Sequence, residues 1–280
     1  MQFILHPMPL FRMKKLTIVM VLAAILGGAK AYLDHQLHVE LDKAIINNQV
    51  AIEFSQITSS LLGQVIINNL RISKYIHIDK IILSKAYQFY NQLPESISIN
   101  LEGIKIPINK ANQPIPIIIS TLGYAPYYIS LKELYNLGYI NIYANMSIIA
   151  KLQKTKLSLV SMINADIFGK YIISVEFNRP SKSFDTMELV SLQLEYFDNG
   201  LVNKVLSYLA LRNNETSQQL QQKFITKLNN DIKQQDIINN LYQFLKNPKS
   251  LTINLQPKLP MDINTLKTLP IQQFKLQITT

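Results

Sequence analysis

Ser96-Ile97-Ser98-Ile99-Asn100-Leu101-Glu102-Gly103-Ile104-Lys105-Ile106-Pro107 sets the architecture. Ile97, Ile99 and Leu101 alternate with Ser98, Asn100 and Glu102, the period of a strand with one apolar face. Past Gly103 the pattern resumes through Ile104 and Ile106. Pro107 cannot donate to a ladder, so it marks a strand end or an edge. Toward the N-terminus the same period recurs in Ile52-Glu53-Phe54-Ser55-Gln56-Ile57, in Val65 to Ser73, and in Ile76-His77-Ile78-Asp79-Lys80-Ile81. The connections Ser59 to Gly63 and Ser73-Lys74 are short enough for hairpins, which predicts an antiparallel meander. Ser84 to Leu93 reads as a helical turn or two, stopped by Pro94.

Toward the C-terminus, residues 109–130 hold Pro114, Pro116 and Pro126, and Leu131 to Leu137 is a short helix closed by Gly138. This is the expected domain boundary. Alternating runs then return at Tyr139 to Ile149, Lys156 to Ile163, Tyr171 to Phe177 and Met187 to Phe197. Asp198-Asn199-Gly200 ends them, and a helical segment over 201–246 follows. Val202, Leu206 and Leu209, then Leu220, Phe224 and Leu228, then Ile237, Leu241 and Phe244 recur at helical spacing. Thr216-x-x-Gln219 predicts a capping box. Asn247-Pro248 stops the last helix, and a final strand is expected from Ser250 to Leu255. Tyr87-Gln-Phe through Pro94 to Leu101 matches Tyr242-Gln-Phe through Pro248 to Leu255 with one residue deleted, so a helix, a proline stop and a strand occur twice. The predicted fold is α+β and β-rich: antiparallel meander sheets in two halves of duplicated appearance, 50–130 and 131–280, with helices inserted in the second.

Arg12, Lys14 and Lys15 precede the uncharged run Leu16 to Ala29, the layout of a bacterial export signal. The run is 14 residues, about 21 Å as a helix against a hydrocarbon core of roughly 30 Å. Ala29-Lys30-Ala31 fits a cleavage site, while Lys30 can snorkel and Ala31 to Leu33 can lengthen the segment into an anchor. The expected order is a cytoplasmic n-region (1–15), a signal peptide or transmembrane anchor (16–33), a juxtamembrane stalk helix (34–49), and a body outside the cytoplasm. Localisation is then the bacterial inner membrane with a periplasmic body, or secreted periplasmic protein after cleavage at Ala31.

Among the 280 residues, 48% are hydrophobic and 16% charged, which rules out a disordered chain. Residues 1–31 hold four cations and no acid, leaving 24 cations against 18 acids beyond them, a mildly basic +6 that suits an anionic leaflet. Arginine numbers only four (Arg12, Arg71, Arg179 and Arg212), which argues against phosphate recognition, and export places nucleic acid out of reach. The 40 isoleucines fit an AT-rich coding sequence as well as any selected chemistry. With no cysteine, thiolate metal sites, disulfides and cysteine nucleophiles are excluded. His35 and His38 stand three apart on the stalk without a third ligand, and His77 reads as a polar-face strand residue. Glu176, Glu188, Glu195 and Asp198 are the carboxylates available to an exported hydrolase, but no nucleophile elbow, zinc motif or phosphate loop accompanies them. Tyr124, Tyr127, Tyr128, Tyr135, Tyr139 and Tyr143 cluster mid-chain, as packing or as a wet-edged surface. The expectation is a non-enzymatic protein with no cofactor and no metal.

Met13-Lys14-Lys15 with its apolar run resembles the start of the bacterial AsmA-like and YdgA-like envelope proteins. Phe54-x-x-Ile57-x-Ser59-x-Leu61-x-Gly63 and Tyr196-Phe-Asp-Asn-Gly200-Leu201 through Phe244-Leu-Lys-Asn-Pro248 extend the likeness over most of the chain. The resemblance implies envelope maintenance, with lipid transfer in the better-understood AsmA-like members, and no catalytic residues. The residues themselves suggest an apolar groove of Ile97, Ile99, Leu101, Ile104, Ile106, Leu251, Ile253 and Leu255, able to hold acyl chains beside the membrane segment. The other reading of that face is core packed under helices. A rival function is a structural or assembly factor that docks an envelope protein partner through sheet edges or the Gln/Asn-rich helices.

Overall fold

A computed structural model describes residues 34–35, 39, 52–60, 63–72, 76–84, 95–108, 114–115, 129–178, 187–231, 234–262 and 274–280. The export segment (16–33), most of the stalk and all but Ser84 of the predicted turn at 84–93 lie outside them. The elements are β1 (Ile52–Glu53), β2 (Gln56–Ser59), β3 (Val65–Ile72), β4 (Ile76–Leu83), β5 (Ser96–Pro107), β6 (Pro114–Ile115), β7 (Ile129–Ser130) and α1 (Leu131–Asn136). There follow β8 (Asn141–Gln153), β9 (Lys156–Ala165), β10 (Gly169–Asn178), β11 (Glu188–Phe197), α2 (Leu201–Arg212), α3 (Ser217–Asp231), α4 (Gln235–Lys246), β12 (Ser250–Pro257), β13 (Met261–Asp262) and β14 (Phe274–Thr279).

Twelve of the described strands form one antiparallel sheet in the order β1-β3-β4-β5-β8-β9-β10-β11-β12-β14, with β2 on β3 and β13 on β11. The protein is β-rich and antiparallel, as the period-two runs predict, with its later helices in the second half. Two expectations change. The halves do not build separate sheets, because β5 pairs with β8 from Ser96↔Lys151 to Pro107↔Asn141, which satisfies both backbones and joins their apolar faces. Nor is Ser250 to Leu255 the last strand: β14 follows and pairs with β12 from Thr252↔Thr279 to Pro257↔Phe274. Phe274, Leu276 and Ile278 do alternate with Lys275, Gln277 and Thr279, a signal the sequence reading passed over.

The step from Leu101 to Ile104 breaks strict alternation, yet both residues stay on one face. Leu101 faces Met146 and Ile104 faces Ala144, so β5 spends three residues where β8 spends two. Gly103 absorbs the extra residue at φ 65°, and its N–H donates to Asn145 Oδ1 at 2.8 Å. β3 and β4 keep step with β5, since Ile67 faces Ile81 and Leu70 faces Ile78, with Asn69 at φ 51°. Gly169, at φ 85°, opens β10, where a Cβ would lie 2.1 Å from the Phe197 carbonyl oxygen.

The helices form a second layer over one end of the sheet. Val205, Leu206 and Leu209 of α2, Leu220 and Phe224 of α3, and Ile237, Leu241 and Phe244 of α4 share a core with Tyr196, Leu251 and Ile278. Asp198 begins this layer: its Oδ1 accepts from Val202 N–H at 3.1 Å and from Tyr196 O–H at 2.6 Å, and its Oδ2 accepts from Gly200 N–H at 2.7 Å. The capping box read at Thr216 and Gln219 is present, with reciprocal bonds of 3.1 and 2.8 Å. A smaller core of Ile57, Val65, Ile67, Leu70 and Ile78 closes the other end of the sheet.

Both edges of the sheet are tied by side chains. Ser60 N–H turns inward to the Gln64 carbonyl, so Ser59 N–H turns outward and donates to Asp34 Oδ1. On β14, the Ile278 carbonyl accepts from Asn240 Nδ2 of α4 at 2.7 Å.

Candidate functional site

Strand register assembles the site. Reading across neighbouring strands, Ile97 faces Ala150, which faces Leu159, then Val175, Leu192, Leu255 and Leu276. The next row runs Leu83, Ile99, Ile148, Ser161, Ile173, Leu194, Ile253 and Ile278. A third runs Ile67, Ile81, Leu101, Met146, Ile163, Tyr171, Tyr196 and Leu251. Period two carries each row on one face, and the bulge at Gly103 keeps Ile104 and Ile106 there. The opposite face is more polar but mixed: Ser98, Asn100, Ser147, Asn164, Ser174, Gln193, Glu195, Thr252 and Asn254 share it with Ile82, Ile149, Val160, Met162 and Ile172.

The proposed groove residues therefore share a face but are not neighbours. β8, β9, β10 and β11 separate Ile97, Ile99 and Leu101 from Leu251, Ile253 and Leu255, a gap of about 24 Å at the usual strand spacing. Leu251, 1% exposed, belongs to the core beneath the helices, whereas Ile253 and Leu255 are half-buried. The residues the groove prediction left out are those between: Met146, Ile148, Ala150, Leu159, Ile163, Ile173, Val175, Leu192 and Leu194. Their alternation was visible in each run, but nothing in one sequence orders the strands.

From β5 to β11, the row starting at Ile97 is half-buried throughout, and so is the row starting at Leu83. Ser161 is the polar member of these rows, and its buried Oγ meets no hydrogen-bond partner. The third row is buried at both ends, at Ile67 and at Tyr196 with Leu251, and half-buried between.

The carboxylates are dispersed. Glu195 accepts from Gln193 Nε2 at 3.0 Å on the polar face, Glu176 faces Ser158 and Ser191, Glu188 faces Asp262, and Asp198 caps α2. Burial raises the hydroxyl pKa of both Tyr171 and Tyr196, keeping them neutral; in Tyr196 the bond to Asp198 adds to this. His77 lies 2.9 Å from Asp79 at the surface, and His38 lies outside the described residues. On the polar face an open depression of about 320 Å³ is lined by Asn100, Glu102, Asn145, Ser147, Met162 and Lys170, with Lys80 3.8 Å from Glu102. It brings no nucleophile beside a base. Tyr139 packs on Phe168 and Tyr143 is 46% exposed, while Tyr124, Tyr127 and Tyr128 lie outside the described residues.

Among the described residues no helix is long and apolar enough to cross a membrane, and the run at 16–33 is not among them. No curated protein and no solved structure matches the chain. A family model with the description "Uncharacterized protein" matches residues 136–279, from the end of α1 through β14, and the chain belongs to that family.

Proposed function

We propose that this is a non-enzymatic envelope protein that holds lipid acyl chains along the apolar face of its sheet. It is anchored to the bacterial inner membrane by the run Leu16 to Ala29, with its body in the periplasm. The observation that carries this reading is the pair of apolar rows crossing β5 to β11, half-buried over their whole length. A soluble protein ordinarily buries such a surface or uses it. Acyl chains suit it because its lining is aliphatic. The repeat that aligns Ile97, Ile99 and Leu101 with Leu251, Ile253 and Leu255 is, on this reading, a duplicated half fused into one sheet.

Mass spectrometry of lipids retained by the mildly solubilised full chain tests this, with an unrelated anchored protein as control. Near-stoichiometric enrichment of one lipid class in the wild type, lost in Ile99→Glu/Ile148→Glu at unchanged circular dichroism, is the expected result. Recovery no better than the control would make the face ordinary core.

A second reading, an assembly factor that docks a protein through the helical layer, is favoured by the exposed Leu211, at 76% on α2. Crosslinking that survives deletion of 213–240 would count against it.

A further inference from the structure

The two ends of the strands differ chemically. At the end formed by the last residues of β5, β9 and β11, lysines lie over rings. Lys105 Nζ is 5.7 Å from the Tyr143 ring centre, Lys170 Nζ 5.7 Å from that of Phe197, and Lys204 Nζ of α2 5.4 Å from that of Tyr139. At the other end lie the β8–β9 turn at Lys154-Thr155, flanked by Lys151 and Lys156, and the turn Lys258-Leu259-Pro260 after β12. These four lysines are exposed and make no ion pair among the described residues, and Leu259 is 74% exposed. The acids at this end are Glu95, whose carbonyl takes the Leu152 N–H, the exposed Glu176, which shares a row with Ser158 and Lys151, and the half-buried Glu188 and Asp262, which face each other across β11 and β13.

The start of the body runs away from the ring-stacked end. Asp34 meets Ser59, which sits in the row of Val65, Leu83 and Ile99. The chain then enters β1 at Ile52 opposite Ile72, seven residues along β3 from Val65 and toward the ring-stacked end. Asp34, the residue nearer in sequence to the apolar run Leu16 to Ala29, is thus level with Ile148 in the middle of β8, farther from the ring-stacked end than Ile52.

We propose that the β8–β9 turn and the Lys258–Leu259 turn rest on an anionic lipid headgroup layer. The lysine tips lie against lipid phosphates, and Leu259 enters the acyl boundary. Lysines already held over rings at the opposite end contribute less to such a contact. This inference rests on the anchored, lipid-binding reading above and fixes which end of the apolar face meets the lipid.

The chain has no cysteine, so Thr155→Cys, Leu259→Cys and Ile140→Cys each give one labelling site. Ile140, 65% exposed beside the ring-stacked end, is the internal control. Each full-length variant carries an environment-sensitive fluorophore in vesicles of phosphatidylcholine with phosphatidylglycerol, and in phosphatidylcholine alone. The labels at 155 and 259 should shift to shorter wavelength in the anionic vesicles, while that at 140 stays aqueous. Each of Lys151, Lys154 and Lys156 changed to Gln should lower the anionic-over-neutral contact ratio about fivefold. A shift at 140 with 155 and 259 aqueous would overturn the assignment. Self-quenching at 155 that rises with protein density, without a lipid shift, would also overturn it by placing a second copy there. Retained lipid in detergent does not depend on which end faces the bilayer. Aqueous labels with lipid retained therefore reject the orientation alone, and shifted labels without retained lipid reject the groove alone.

Discussion

Tyr196 and Leu251 are each 1% exposed beneath the helices, while Ile99, Ile148 and Leu192 stay half-buried on the same face of the same sheet. The residue classes are alike and the strand geometry is continuous. What differs is the layer above: among the described residues, α2, α3 and α4 share their core with Tyr196, Leu251, Ile253, Leu276 and Ile278 of β11, β12 and β14, and not with Ile99, Ile148 or Leu192. Covering, rather than side-chain type, separates core from candidate site in this protein.

That contrast can be broken most directly in the core. Phe244→Ala, at a site 2% exposed, should cost about 3–5 kcal/mol in urea unfolding because the ring leaves a cavity under close packing. Loss of less than about 1 kcal/mol would mean that the helical layer is not packed as described. Gly169→Ala should cost about 2 kcal/mol or more, since the added Cβ would meet the Phe197 carbonyl oxygen at 2.1 Å with φ at 85°. Its thermal midpoint against wild type measures this.

On the half-buried rows, Ile148→Ala should cost only about 1 kcal/mol, since that side chain has less burial to lose. A cost equal to that of Phe244→Ala would put Ile148 in the core and remove the contrast.

The smallest effect concerns the clamp between α1 and α2. Glu133 accepts from Arg212 Nη1 at 2.6 Å and, through its other oxygen, from Ser130 N–H at 2.7 Å. Burial pushes its carboxyl pKa up, but the Ser130 amide and the Arg212 guanidinium outweigh it and hold the carboxyl below its ordinary value. A lowered folded-state pKa means that the stabilisation is complete above about pH 4.5 and is lost as pH falls below it. Arg212→Ala should cost about 0.5–1 kcal/mol at pH 7 and should flatten the fall in urea midpoint below pH 4.5. An unchanged slope would place the acid sensitivity elsewhere.

Much of this was legible before any coordinates. Alternation located β5, β8, β9, β10 and β11, helical spacing located α2 to α4, and Thr216 with Gln219 announced a cap. Pairing partners were not legible, because β5 meets β8 across a proline-rich gap that no local pattern spans, and so a sheet in each half was expected where one twelve-stranded sheet joins them. The same limit divides the candidate site. Period two puts Leu251 and Leu255 on one face with equal force, yet only Leu251 lies fully under the helical layer, and burial depends on what the rest of the chain lays over a strand. The Leu101 to Ile104 step was readable as a pause at Gly103. That it conserves the face followed only from the register with Met146 and Ala144.

The two tied edges have a consequence for the molecule's life at high concentration. A wide sheet with unpaired backbone at its margins is a template on which further copies add strand by strand, toward fibrils. Here the amide of Ser59 is taken by Asp34 and the carbonyl of Ile278 by Asn240, so each margin lacks a group that an incoming strand would need. An incoming strand would therefore have to displace Asp34 at one margin or Asn240 at the other before its ladder could run unbroken.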